Sequence, residues 1–202
     1  MIDILPIFIF FFAVIDPIGT VPVFIAVTRG ADEAAKRRIA LTATLVAGII
    51  LTFFLAAGEI ILDAMSIPLS AFQIAGGIVL FLFALTMIFG ESKPEEEVGL
   101  IDRTNETAIF PLAVPSIASP GAMLAAVMLT ENAKHTIEEQ AQILGTMFAV
   151  LLVALILMLL ASRIYRIIGD AGASVISRLM GLILASAATA STLEGIKNYF
   201  AL

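Results

Sequence analysis

Two short strings set polar residues beside proline inside otherwise apolar sequence. The first is Asp16-Pro17-Ile18-Gly19, continuing through Thr20 to Pro22; the second is Pro115-Ser116 followed by Ser119-Pro120-Gly121. Proline has no N–H and its ring clashes with the preceding turn, so a helix entering either string loses its hydrogen bonding there. Asp or Ser directly before Pro is the preferred order of an N-cap and a first helical residue, so each string predicts a new half-helix, capped by Asp16 or by Ser119. A helix start carries free N–H groups and partial positive charge, a receptor suited to a carboxylate. An ionised Asp16 supplies an anion to its own half-helix, whereas Ser119 leaves its half-helix without one. The expected division of labour puts a ligand carboxylate at Ser116, Ser119 and Gly121, while Asp16 meets an ammonium group or exchanges a coupled proton. Pro17, Gly19, Thr20 and Pro120 complete the candidate binding residues, and their small size implies a short ligand. A single Pro–Gly break is as often a packing kink as a site. Two matching breaks, one bearing an ionisable group deep in apolar sequence, favour function.

The elements that position these strings follow from composition. The 202 residues are 60% hydrophobic and 14% charged, with a mean hydropathy of +1.08, which excludes an ordinary soluble domain. Charge and turn residues divide the chain into six predicted spans at 4–28, 39–62, 70–89, 108–130, 141–161 and 178–198, each near the roughly 20 residues that cross a bilayer. Asp32, the pair Thr136 and Glu139, and Ser174 after the turn 169–172 supply the predicted helix starts. The first span begins near Asp3 with no Lys or Arg before it, unlike a cleaved signal, and is read as retained. The net charge of −6 gathers in connecting segments such as Glu95-Glu96-Glu97 and points to no nucleic-acid partner. Cysteine is absent, no metal cluster or nucleotide-binding loop is present, and no cofactor is expected. With Asp16 the one carboxylate deep within a span, neither an aspartyl dyad nor a serine–base pair is available, so the chain is not expected to be an enzyme.

Arg29, Lys36, Arg37, Arg38, Lys93, Arg103, Arg163, Arg166 and Arg178 fall on one side of these spans, and Lys134 and Lys197 on the other. The positive-inside rule makes the first side cytoplasmic and both termini extracellular or periplasmic. The sequence also repeats: the segment 12–28 lies over 112–130 with Asp16-Pro17 against Ser119-Pro120, and 70–77 lies over 174–181. One membrane domain, 1–202, then divides into a three-span repeat at 1–90, an acidic cytoplasmic linker at 91–107 and a second three-span repeat at 108–202. Three spans is an odd number, so the repeats are inverted, as in secondary transporters. The expected fold is all-α: a polytopic membrane protein of six transmembrane helices in two inverted three-helix repeats, the first helix of each broken. Gly76-Gly77 and Met180-Gly181 read as close-packing positions between helices.

These residues together resemble the MarC family of integral membrane proteins, which includes the small neutral amino acid transporters called SnatA. The resemblance covers essentially the whole chain. It rests on Asp16-Pro17 with Pro22, on Pro111-Leu112-Ala113 with Pro115-Ser116 and Pro120-Gly121, and on the strings Ile74-Ala75-Gly76-Gly77 and Ile176-Ser177-Arg178-Leu179-Met180-Gly181. It implies six spans, external termini and, as in the family's transporting members, uptake of glycine and alanine driven by a proton gradient in the plasma (inner) membrane. Members often carry Asn where this chain has Asp16 and Gly where it has Ser119. The alternative expectation is a channel or exporter for a small polar solute, which would share the breaks but lack coupling.

Overall fold

The computed structural model describes residues 2–28, 30–89, 112–130 and 136–200. Every element among them is helical: α1 Ile4–Ile15, α2 Thr20–Val27, α3 Glu33–Ala64, α4 Leu69–Phe89, a π-helical turn Leu112–Ile117, α5 Pro120–Leu129, α6 Ile137–Leu159 and α7 Ala161–Phe200. The predicted acidic linker, with Lys93, Arg103 and Pro111, lies outside the described residues, as do Arg29 and Lys134.

Local sequence explains the starts. Asp32 caps α3 by accepting from Ala35 N–H at 2.7 Å. At α6, Thr136 Oγ1 accepts from Glu139 N–H while the Glu139 carboxylate accepts from Thr136 N–H, the reciprocal box expected there. The predicted turn at 169–172 is instead a kink. Gly169 takes φ 63°, ψ 179°, and the chain is helical on both sides, so α7 runs from Ala161 through this kink, while its length able to cross a membrane begins at Ser174, the expected start, a few residues ahead of the span drawn from 178. Only glycine enters that backbone region freely.

Among the described residues, five helices are long and apolar enough to cross a membrane: Ile4–Val27 counted through its break, Glu33–Ala64, Leu69–Phe89, Ile137–Leu159 and Ser174–Phe200. The fourth predicted span is described as the π-helical turn and the ten-residue α5. Their outer surfaces are apolar too. Leu41, Leu45, Ile49 and Phe53 on α3 are each more than half exposed, whereas the inward stripe of the same helix is Ala40, Ala43, Ala47, Gly48 and Leu51. A helix apolar on every side fits a lipid solvent, and small inward residues let helix backbones approach closely. Thr28, Thr44, Thr146 and Thr192 each return their hydroxyl to the carbonyl four residues back, so these four donors are satisfied within their own helices.

Packing is reciprocal about the middle of the chain. The most extensive interface joins α4 to α7; α3 lies against both α5 and α6, α1 against α6, and α2 against α7 as α5 against α4. In the core, α1 contributes Phe11, Val14 and Ile15, and the second half contributes Leu112, Ile117, Ala122, Met147 and Leu151.

Candidate functional site

The two predicted breaks meet in this core. Asp16 closes α1 in the left-handed conformation, φ 47° and ψ 66°, with its N–H still bonded to Phe12 O. The sequence pattern makes it the N-cap of the following half-helix. The structure makes it the C-cap of α1 instead; Gly19 is the N-cap of α2, and Asp16 Oδ1 accepts from Gly19 N–H at 3.0 Å in the turn between the two helices. α2 then starts at Thr20, whose N–H and hydroxyl both donate to Asp16 O at 3.1 Å. Ser119 behaves as predicted. It stands at φ −67°, ψ 157° before Pro120, and its Oγ accepts from Ala122 N–H at 3.1 Å. Before it the chain widens, with Val114 extended and Ala118 N–H bonded five residues back to Ala113 O.

Three hydrogen bonds tie the breaks and the last helix together. Ser119 Oγ donates to Val14 O at 3.1 Å, satisfying a carbonyl that the break in α1–α2 would otherwise orphan. Ser116 Oγ lies 3.3 Å from Thr20 Oγ1 and donates to it. Ser177 Oγ, on α7, donates to Asp16 Oδ2 at 2.7 Å. Asp16, Thr20, Ser116 and Ser177 are fully buried, and Ser119 nearly so. Both oxygens of the one buried carboxylate among the described residues are thus engaged, by a backbone N–H and by a hydroxyl 161 residues away.

Of the candidate residues, Asp16, Pro17, Gly19, Thr20, Ser116 and Ser119 are buried at the breaks, while Pro120 is exposed. Gly121 turns its open side to Leu80 and Phe83 of α4 rather than to Asp16. Gly19 has no room for a side chain, because a Cβ there would overlap Asp16 Oδ2 and lie 2.7 Å from Ser177 Oγ. Ser177 was missed as a site residue, since a span drawn from 178 leaves it outside the membrane. Its place in the string Ile176–Gly181 was the available signal. The polar groups of the site pair with one another, and four cavities found elsewhere on the protein are not lined by Asp16, Ser116, Ser119 or Ser177.

Ser119→Ala is expected to lower the midpoint of thermal unfolding in detergent by the equivalent of about 1–3 kcal/mol, because it strands both Ala122 N–H and Val14 O. An unchanged midpoint would show that other contacts hold the breaks together.

The sequence pattern of the family described as "MarC family integral membrane protein" matches residues 1–200. The chain belongs to the MarC family. It is accordingly an integral, multi-pass membrane protein, in accord with its long apolar helices. This MarC-family chain is 35% identical over 190 residues to the "UPF0056 inner membrane protein YhgN" of Escherichia coli (strain K12), covering 92% of each chain. It is 32% identical over 195 residues to a "UPF0056 membrane protein" of Aquifex aeolicus (strain VF5), covering 95% of this chain and 91% of that one. No solved structure is significantly similar to it. The match spans both breaks and Ser177, so the interlocked cluster lies wholly within the MarC-family region.

Proposed function

We propose that this MarC-family protein is a secondary transporter that takes up small neutral amino acids, glycine and alanine, across the plasma (inner) membrane in symport with protons. The observation that carries the reading is the meeting of two helix breaks around a buried carboxylate. Backbone interrupted at membrane depth is tolerated where protein or a cavity receives it, and such breaks are where transporters bind their cargo. Asp16 lies twelve residues beyond Ile4, about 18 Å along the helix and so near the midplane. In this reading the π-helical turn and α5 complete a sixth span, and the halves 1–90 and 108–202 form one domain of two inverted repeats. The segment 91–107 is cytoplasmic and both termini are external. The reciprocal packing of α1 on α6 and α3 on α5 supports such a pseudo-twofold axis.

Rocking one half against the other breaks the three bonds from Ser116, Ser119 and Ser177. At about 1 kcal/mol net each, they hold the closed state by on the order of 3 kcal/mol. Contacts to a bound zwitterion are large enough to replace that sum, as alternating access requires. The substrate carboxylate meets the α5 start, and Asp16 either meets the ammonium group or takes the coupled proton; a proton on Oδ2 turns that oxygen into a donor and weakens its hold on the Ser177 hydroxyl.

Uptake of labelled glycine and alanine into proteoliposomes, with and without an imposed proton gradient, tests the reading. Saturable uptake stimulated by an inward proton gradient is expected, with serine competing and leucine, phenylalanine and lysine competing poorly. Asp16→Asn, which keeps a capping oxygen, should fold normally and lose the stimulation. Non-saturating flux would favour a channel, and an unchanged pH profile in Asp16→Asn would reduce Asp16 to a helix cap.

A further inference from the structure

Two open clefts join at Leu41 of α3. The first, of about 660 Å³, lies at the start of that helix, where Arg37, Arg38 and Thr42 line it together with Glu33. The second, of about 740 Å³, is a groove between α3 and α6, with Leu45, Gly48 and Thr52 on one side and Phe148, Leu152 and Leu155 on the other. Leu41 lines both, so a charged mouth and an apolar groove form one continuous surface. Glycine keeps the floor low at position 48, since a Cβ there would lie 3.3 Å from Phe148 Cε1. From Leu41 to Thr52 the groove follows α3 for about 16 Å, the depth of one leaflet in a hydrocarbon core about 30 Å thick.

The charges at the mouth select what lies in the groove. Lys36 is paired with Glu33 at 3.0 Å, which engages that carboxylate. Arg37 and Arg38 are exposed, and among the described residues neither forms an ion pair. A guanidinium matches a phosphate through two parallel N–H···O bonds. A second copy of the chain fits this mouth badly. It must cross the bilayer in the same direction, so a twofold contact through the groove would bring its own Arg37 and Arg38 to the same depth, like charge against like. A zwitterionic lipid would fill the groove, but its phosphate arrives with a cation of its own. Thr52 Oγ1, buried without a hydrogen-bond partner, is enclosed by the protein and makes no demand on the groove's contents.

We propose that this surface holds one anionic phospholipid, its phosphate on Arg37 and Arg38 and one acyl chain along the groove between α3 and α6. Basic residues at the end of a membrane helix draw anionic headgroups, and the adjoining groove adds a seat for the chain. Neither cleft is lined by Asp16, Ser116, Ser119 or Ser177, so the site is separate from the interlocked breaks and does not depend on the transport reading. Because α3 and α6 come from opposite halves of the chain, the bound lipid bridges them.

The full chain is reconstituted in vesicles of equal parts palmitoyl-oleoyl phosphatidylglycerol and phosphatidylcholine, then taken into detergent and weighed intact by native mass spectrometry. It should retain a single phosphatidylglycerol, favoured at least about tenfold over phosphatidylcholine. Arg37→Gln with Arg38→Gln should abolish the preference, and Arg37→Lys with Arg38→Lys should keep part of it. Arg163→Gln with Arg166→Gln, which removes as much charge from residues that line neither cleft, should keep it whole. Dihexanoyl phosphatidylglycerol, with the same headgroup but chains too short to follow the groove, should compete at least about tenfold less well. Equal retention of the two lipids, or equal loss in both glutamine pairs, overturns the site. Equal competition by the short-chain lipid overturns the groove as its seat, and a dimer that phosphatidylglycerol does not displace gives the groove to a second copy instead.

Discussion

Valine at position 77 or 181 is expected to force α4 and α7 apart and to leave little folded protein. A Cβ at Gly77 would lie 2.9 Å from Ala188 O and 3.0 Å from Thr192 N, and would overlap Thr192 Oγ1. A Cβ at Gly181 would lie 2.9 Å from Met87 Cβ and 3.1 Å from Ala84 O. Each glycine of one helix thus meets the backbone of the other, and a carbonyl in a helix cannot turn aside as a side-chain tip can. In a bilayer the attraction between helices comes mainly from such close packing, so the loss has no solvent-driven compensation. Overpacking of this kind costs about 1–3 kcal/mol or more for each substitution. Since α4 and α7 share the most extensive interface of the fold, the double variant should not yield a monodisperse peak in size-exclusion chromatography. Gly145→Ala is the contrasting control. Its Cβ would meet nothing within 4 Å, so this exposed position on α6 should gain about 0.5–1 kcal/mol from the lost chain entropy. Equal behaviour of the three variants in thermal unfolding would refute the packing account.

Those two glycines were legible in the sequence because small residues inside an apolar span have few other uses. Ser119 was legible for a similar reason: Ser-Pro encodes a cap and a first turn locally, and the observed φ, ψ and Ala122 bond follow. Asp16-Pro17 carries the same local signal, yet Asp16 adopts a left-handed conformation and terminates α1. The difference is tertiary. Its carboxylate accepts from Ser177 on α7, and no pattern within a few residues of Asp16 encodes a partner 161 positions away. The Gly169–Gly172 signal marks a real kink at Gly169, and the helix beyond it does start at Ser174, but the sixth span is drawn only from 178. That single displacement removed Ser177 from the predicted span.

Gly19→Ala should abolish most uptake, by at least tenfold, because it attacks the junction of the first break with α7. The added methyl cannot coexist with Asp16 Oδ2 in its present place, and it crowds Ser177 Oγ as well. Asp16 is short, and its other oxygen is held by the N–H of residue 19 itself. Either the carboxylate swings off Ser177 or α2 shifts away from α7, and both outcomes cut the bond between them. Ser177→Ala cuts the same bond from the other side without steric intrusion, and strands one carboxylate oxygen at a cost of about 1–3 kcal/mol. If the Asp16–Ser177 bond is the shared route of damage, the double variant should be little worse than Gly19→Ala alone, in uptake and in unfolding midpoint alike. Residues coupled through one interaction give such non-additive cycles, whereas independent defects sum. The cycle also separates mechanism from bulk stability. Ser177→Thr, which restores the hydroxyl, should recover the proton response of uptake that Ser177→Ala loses, even where its added methyl lowers the midpoint. Additive losses together with a normal proton response in Ser177→Ala would mean that the hydroxyl only packs α7 against the break, and that Asp16 takes up its proton without reference to that helix.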